Sequence, residues 1–255
     1  VLQWNRGNAR FSDIGHMADV AHSDWSWSPL FLDVDNDGYK DIVVTNSLPK
    51  DMLDSDFQRF TMDSLKGNNN TAHSRSFLVA MHKMKDLRLT NYYFRNNEEL
   101  AFERSALNPF AVNSNGSAYG DLDNDNDLDL VLNNLDTTSF LLENTTTANA
   151  VRIKLVGSKL NKFAFGAKVI GYSNGAFQAS EITGARGYQS SSELICHFGI
   201  GSKLHLDSVL IIWDKTRCSK LGITNAGLHE VQYAEHSCSC PNSLKTGVKE
   251  VILSK

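Results

Sequence analysis

Cysteine is scarce in this chain. Four cysteines among 255 residues are too few for a disulfide-dense scaffold of this size. Cys196 lies in an apolar run at 194–200, so we expect a buried thiol that packs as a small hydrophobic group. Cys238 and Cys240 flank a single serine, and either of them could pair with Cys218 in an oxidising compartment. A zinc site is not expected, because the usual two-residue spacer between cysteines is absent.

A surplus of positive charge is also missing. The chain has 25 basic and 29 acidic residues, and its formal net charge of -4 argues against binding to nucleic acid or to an anionic membrane. No apolar run is long enough to span a bilayer, and no signal-peptide pattern follows Val1. We therefore expect a piece of a longer protein, whose export signal lies elsewhere.

The common catalytic motifs are missing as well. The eight histidines are scattered and form no HExxH pair, and His197, within a strand-like run, is expected to have a structural role. The chain contains no G-x-S-x-G nucleophile elbow, no phosphate-binding loop and no dinucleotide fingerprint. The sequence thus favours a protein that is not an enzyme.

The chain does contain an internal repeat of acidic loops. Its apolar content of 41% is enough for a core, and short runs rich in Val, Ile and Leu flank Asp-rich loops in residues 29–46 and 117–134. A polar turn followed by Phe11 precedes the first unit, and a similar turn followed by Phe102 precedes the second. A repeat of strand-loop-strand units indicates stacked or radially arranged β-sheets.

Both loops have the ligand spacing of a calcium site. Calcium takes six to eight oxygen ligands, which alternating carboxylates in a tight loop can supply. Gly38 at position six of the first loop tolerates a positive φ, and so does Asn126 in the second. The predicted ligands of two calcium ions, at positions one, three, five, seven and nine, are Asp33, Asp35, Asp37, the Tyr39 carbonyl and Asp41 in the first loop, and Asp121, Asp123, Asp125, the Asp127 carbonyl and Asp129 in the second.

Three other interpretations of the loops find less support. An EF-hand requires a bidentate Glu at position twelve and a following helix, whereas Val44 and Leu132 stand there in apolar runs. Asp-rich hairpin turns could cap their own backbone without an ion, but two loops of identical spacing favour calcium. An acid and base pair of a glycosidase needs one carboxyl that keeps its proton, which carboxylates converging on a cation do not.

The remaining sequence predicts further parts. Between the loops, apolar spacings of three to five indicate a mostly helical insertion at about 47–91. Residues 144–149 suit a linker, after which strands without Asp-rich loops predict a small all-β domain at 150–235. Residues 236–255 are a tail to which no structure is assigned. The expected fold class is mainly β, with partial propeller-type blades in residues 1–149 followed by the small β domain.

Two known families are similar to these segments. The Asp-rich units resemble the FG-GAP or VCBS repeats of integrin-type β-propellers, where such a loop joins the first two strands of a blade. Residues 150 to about 235 resemble the ASPIC/UnbV domain that follows these repeats in proteins similar to cartilage acidic protein. The matching motifs there are FGAKV at 165–169, GYQS at 187–190, HFGIG at 197–201 and VLIIW at 209–213.

The resemblance implies an exported or surface-exposed protein of a kind typical of bacteria, and it brings no catalytic role. We expect a calcium-stabilised, non-catalytic binding module that presents a surface to a protein or glycan ligand. Neither a nucleic acid partner nor a membrane span is expected. The alternatives are an accessory or catalytic domain that acts on polysaccharide, and a purely structural spacer.

Overall fold

The fold is mainly β, as the sequence predicted. A computed structural model describes residues 2–51, 54–59, 79, 82–98, 101–108 and 110–233. The tail at 236–255 and most of the predicted helical insertion lie outside these residues. Of the insertion, residues 55–59 and 82–83 are helical, and Lys50 and Leu89 form isolated bridges with Asp86 and Val112.

The described residues of the N-terminal half form one hairpin and two antiparallel sheets. The hairpin is formed by β1 (Gln3–Asn5) and β2 (Phe11–Asp13). The first sheet has the order β3 (Ser26–Leu32), β4 (Asp41–Asn46), β5 (Tyr92–Asn96) and β6 (Phe102–Ala106). The second has the order β7 (Ser114–Gly120), β8 (Asp129–Asn134) and β9 (Phe140–Leu142). Each sheet begins with a hairpin whose connection is one of the two acidic loops.

Strand β4 is buried at all six positions because both faces of its sheet are covered. Ile42 and Val44 point to one side, where they pack with Phe94 and with Ile14 from the segment after the first hairpin. Val43 points to the other side, in a cluster with leucines of the first and second sheets. This explains a continuous apolar run where a strand with one exposed face would alternate.

The described residues of the C-terminal half form two sheets and one two-stranded ladder around one core. Its strands are β10 (Asn149–Val156), β11 (Lys168–Ser173), β12 (Ala176–Glu181), β13 (Ile195–Gly201), β14 (His205–Leu206), β15 (Ser208–Ile212), β16 (Cys218–Leu221), β17 (Thr224–Asn225) and β18 (Gly227–Gln232). One sheet has the order β13-β10-β18, the other β12-β11-β15-β16, and β14 pairs with β17. Val151, Ile153, Val169, Phe198 and Ile211 are fully buried between them. Burial of each such side chain stabilises the fold by about 1.5–3 kcal/mol.

The segment at 144–149 is anchored to both acidic loops, whereas the sequence suggested an ordinary linker. Asn144 Nδ2 donates hydrogen bonds to the carbonyls of Val34 and Leu128. Thr146 N donates to Asp127 Oδ2 at 3.0 Å. This segment leads from β9 into β10.

The cysteines differ in state. Cys196 is a free thiol that is 1% exposed, which confirms the expectation from its apolar run. Cys218 is disulfide-bonded, and its partner lies outside the described residues. A disulfide is typical of proteins that reach an oxidising compartment.

Candidate metal centre

The first acidic loop brings three carboxylates together. One oxygen each from Asp33, Asp35 and Asp37 lies within 4.8 Å of the others. Oxygen ligands of a calcium ion, each about 2.4 Å from the metal, stand at most about 5 Å apart. Asp41, predicted as the fourth carboxylate, is outside this group of three.

Asp33 carries the strongest indication of a missing partner. Its side chain is completely buried, and its Oδ2 accepts a hydrogen bond from Gly38 N at 3.0 Å. Its Oδ1 is buried and has no hydrogen-bond partner among the described residues. Because an ionised oxygen without a partner is costly in the interior, this atom fits a bound cation.

The second loop forms a similar group from different positions. One oxygen each from Asp121, Asp123 and Asp129 lies within 4.8 Å of the others. Asp125 is outside that group, although its Oδ1 accepts a hydrogen bond from Asp127 N at 3.0 Å. The two loops thus keep the carboxylates at positions one and three in the cluster and differ in the third member.

Asp41 and Asp129 close their loops by equivalent hydrogen bonds. Asp41 Oδ2 accepts from Val34 N at 3.0 Å, and Asp129 Oδ2 accepts from Leu122 N at 2.9 Å. Asp41 Oδ1 accepts from Asn96 N at 2.8 Å, and Asp129 Oδ1 accepts from Asn144 N at 2.9 Å. Both carboxylates therefore tie the loop to the third strand of its own sheet or to the residues just after it.

Backbone geometry supports the repeat. Gly38 and Asn126, both at position six, have φ values of 99° and 75°, as their residue types predicted. Asn36 and Asn124, at position four, also have positive φ values, of 57° and 67°. At position seven, Tyr39 N and Asp127 N donate to the carboxylates of Asp37 and Asp125, two residues before them.

Burial in these crowded loops favours the protonated carboxyl when no cation is bound. It raises the pKa of Asp33 to about 7, against the opposing charge of Lys40. It also raises the pKa of Asp127 to about 7, and the neighbouring Asp125 adds to that shift. The Asp127 carboxylate was not expected as a ligand, yet its Oδ1 is buried without a partner among the described residues. A divalent cation would neutralise these groups and reverse the shifts.

Asn36 connects the first loop to three other segments. Its Nδ2 donates to the carbonyls of Asn126 in the second loop, at 3.3 Å, and of Ala148, at 3.0 Å. Its Oδ1 is 2.6 Å from His197 Nε2 on β13, and its carbonyl accepts from Gly201 N at 2.7 Å. The sequence marked Asn36 only as a spacer between ligands, since its partners lie up to 165 residues away.

Two motif glycines of the C-terminal half lie where the chain passes close to the N-terminal half. A Cβ on Gly199 would meet the Asp33 carboxylate and the backbone of Asn36, whose carbonyl carbon is 2.5 Å from that position. A Cβ on Gly187 would meet Ser28 Oγ, and Tyr188 N donates to the same hydroxyl. These positions need glycine because another segment occupies the space of a side chain.

Arg152 of β10 attaches the second loop to the C-terminal half. It is 2% exposed, and its Nη1 pairs with Asp121 Oδ2. Its Nη2 donates to both oxygens of Glu193, at 3.0 and 2.9 Å. Nothing in the sequence around Arg152 pointed to this role, because its partners come from two distant segments.

Comparisons with known proteins agree with this architecture. Residues 1–44 match the family model of the FG-GAP-like repeat, and residues 157–234 match that of ASPIC and UnbV. No curated protein matches the chain. FG-GAP repeats are typical of extracellular proteins, and the described part of the chain has no helix with the length and apolarity to cross a membrane. The two matches are to the families that the sequence resembles, the FG-GAP-like repeat in the N-terminal half and ASPIC and UnbV in the C-terminal half.

Proposed function

We propose that the chain is a calcium-stabilised, non-catalytic binding module of an exported or cell-surface protein. The observation that carries the proposal is the Asp33 carboxylate, which is fully buried among Asp35 and Asp37 and has an Oδ1 without a partner among the described residues. Calcium is the cation that suits a group of hard carboxylate oxygens in a loop of this size. The disulfide at Cys218 supports an oxidising compartment, where free calcium reaches millimolar levels.

The contacts of the loops indicate what the ions would stabilise. Asn36 and Asn144 connect the first loop to the second, and His197 and Arg152 connect both loops to the C-terminal half. Calcium in these loops would therefore hold the two sheets of the N-terminal half and the following domain in one arrangement, from which exposed loops present a ligand surface. The predicted propeller-type assembly of blades is part of this proposal.

Calcium titration tests the proposal. We expect calorimetry to find two sites, and we expect saturating calcium to raise the melting temperature by about 10 °C over the protein in chelator. Asp35→Ala should remove the first site and Asp123→Ala the second, because each lies in one carboxylate group. Asp56→Ala is the matched control, since this exposed carboxylate lies outside both loops. Absence of both binding and a melting shift would overturn the proposal.

The pKa values predict that a rise in pH lowers the stability of the calcium-free protein and strengthens calcium binding. Asp33 and Asp127 have folded-state pKa values of about 7, above the ordinary value of 3.8. Without calcium, protonation of these groups stabilises the fold, and this contribution is lost as the pH rises from about 4 through 7. The calcium-free protein should therefore melt at a higher temperature at pH 5 than at pH 8.

Calcium affinity should rise with pH, whereas the stability of the calcium-free protein should fall. Because the metal binds the ionised carboxylates, affinity should fall by up to about tenfold for each pH unit below 7 and for each proton displaced. Calorimetry at pH 8, 7 and 6 in buffers of different ionisation enthalpy would count the released protons. A calcium affinity that is independent of pH in this range would contradict the assignment of Asp33 as a ligand.

A further inference from the structure

A pocket lies between the two halves of the chain, beside the first acidic loop. Its volume is about 180 Å³. Phe31, Leu32 and Tyr119 line it from the N-terminal half, and Ser180 and Ile195 line it from β12 and β13. Lys40, Arg186 and His197 are the basic groups in its wall. The pocket thus combines apolar walls with side chains that could recognise a charged group.

Lys40 brings a positive charge without an ion-pair partner. Its Nζ donates a single long hydrogen bond, of 3.4 Å, to the carbonyl of His197. No carboxylate of the described residues lies within 4 Å of this ammonium. A partly buried cation is normally paired, so this group is short of an anion.

Arg186 is the second cation of the pocket. Its Nη2 donates to the backbone carbonyl of Glu181 at 2.7 Å, a bond that uses one of five N–H donors. The Glu181 carboxylate pairs instead with Lys168, at 3.7 Å. Glu181 also lines the pocket, but within the described residues no carboxylate approaches the Arg186 guanidinium to 4 Å, so neither cation of the pocket forms an ion pair.

His197 also lines the pocket, and its side chain contains a buried acceptor. The Asn36 amide nitrogen donates to two carbonyls, so its Oδ1 is the acceptor and His197 Nε2 must donate to it. Burial lowers the pKa of His197 well below its usual value, so the ring is neutral and Nδ1 is an acceptor. This Nδ1 is buried and has no partner among the described residues.

We propose that the pocket binds a small oxyanion, such as the carboxylate of a sugar acid, with Lys40 and Arg186 as the cationic contacts. The volume of 180 Å³ is below the roughly 300 Å³ at which pockets for larger organic ligands begin. The occupant is therefore a single small anion or the charged end of a larger ligand. This inference rests on the proposed binding function and names the ligand class for it.

The test is a calorimetric titration of the whole chain, in saturating calcium, with glucuronate, sulfate and glucose. We expect one saturable site for glucuronate or sulfate and none for glucose, which lacks the charge. Arg186→Gln should weaken binding by about tenfold, because it removes charged hydrogen bonds to the anion. Lys40→Gln should have a similar effect. Because Lys40 lies in the first acidic loop, its substitution could disturb that loop, and Arg186→Gln then tests anion binding independently.

Arg10→Gln and Lys220→Gln are the matched controls, because both side chains are exposed and lie outside the pocket. They should leave the affinity unchanged. The proposal is overturned if neither anion binds with a Kd below about 10 mM, or if the pocket variants bind as well as the controls. Melting with and without calcium on the same samples distinguishes the outcomes: a retained calcium shift without anion binding rejects the pocket alone, whereas loss of the shift rejects the calcium proposal.

Discussion

Gly199→Ala should destabilise the fold by about 3 kcal/mol and weaken calcium binding at the first loop. The added Cβ would meet the Asp33 carboxylate and stand 2.5 and 2.6 Å from backbone atoms of Asn36. Backbone atoms cannot turn away as the end of a flexible side chain can, so the loop or β13 must shift. Such a shift would also strain the bonds from Asn36 to His197 and Gly201.

Urea unfolding in saturating calcium measures the loss of stability in Gly199→Ala, and the stoichiometry of calcium binding shows whether the first loop still binds its ion. Gly222→Ala is the matched control, because a Cβ there meets no atom within 4 Å and the residue is not in the left-handed region. It should be close to neutral. A Gly199→Ala protein that unfolds like the wild type and binds two calcium ions would disprove the close approach of β13 to the loop.

Arg152→Met should cost about 3–5 kcal/mol when calcium is absent. The substitution removes the cation between Asp121 and Glu193 and leaves the buried Asp121 carboxylate without its positive partner. If calcium binds the second loop, the ion supplies the missing charge, so saturating calcium should recover part of the loss. The free energy of unfolding, measured in chelator and in saturating calcium, gives the loss in Arg152→Met and the part that calcium recovers.

Lys154→Met on the same strand is the control for Arg152→Met. Lys154 pairs with Glu230 at 3.1 Å, but both side chains are about half exposed, and such pairs contribute little. Equal and small effects of the two substitutions would show that Arg152 does not hold the second loop. A large effect of Arg152→Met that calcium leaves unchanged would speak against an ion at Asp121.

The two acidic loops form part of the contact between the halves of the chain. Strand β13 approaches the first loop through Gly199, and β10 reaches the second through Arg152. Gly187 and Gly199 belong to the motifs that resemble ASPIC and UnbV. At both positions another segment passes where a side chain would stand, which gives a physical reason for glycine there. The boundary at residues 149 and 150 stays a prediction.

The sequence by itself determined the features that depend on neighbours along the chain. The spacing from Asp33 to Asp41, repeated from Asp121 to Asp129, predicted two equivalent loops, because a tight loop places alternate side chains on a common centre. Gly38 and Asn126 indicated positive φ values, which the structure has. The apolar run from Ile42 to Val44 predicted a buried strand, which is β4, since hydrophobic side chains on consecutive residues favour burial of both faces.

Only the tertiary structure decided which charges and backbones meet across the fold. Arg152 pairs with Asp121 and Glu193, Asn36 contacts His197, and Lys40 shares a pocket with Arg186, over separations of 31 to 161 residues. No local pattern encodes these partners, because each contact depends on how separate sheets pack. For the same reason, the sequence could indicate that carboxylates converge but not that Asp125 and Asp41 fall outside the two groups of three.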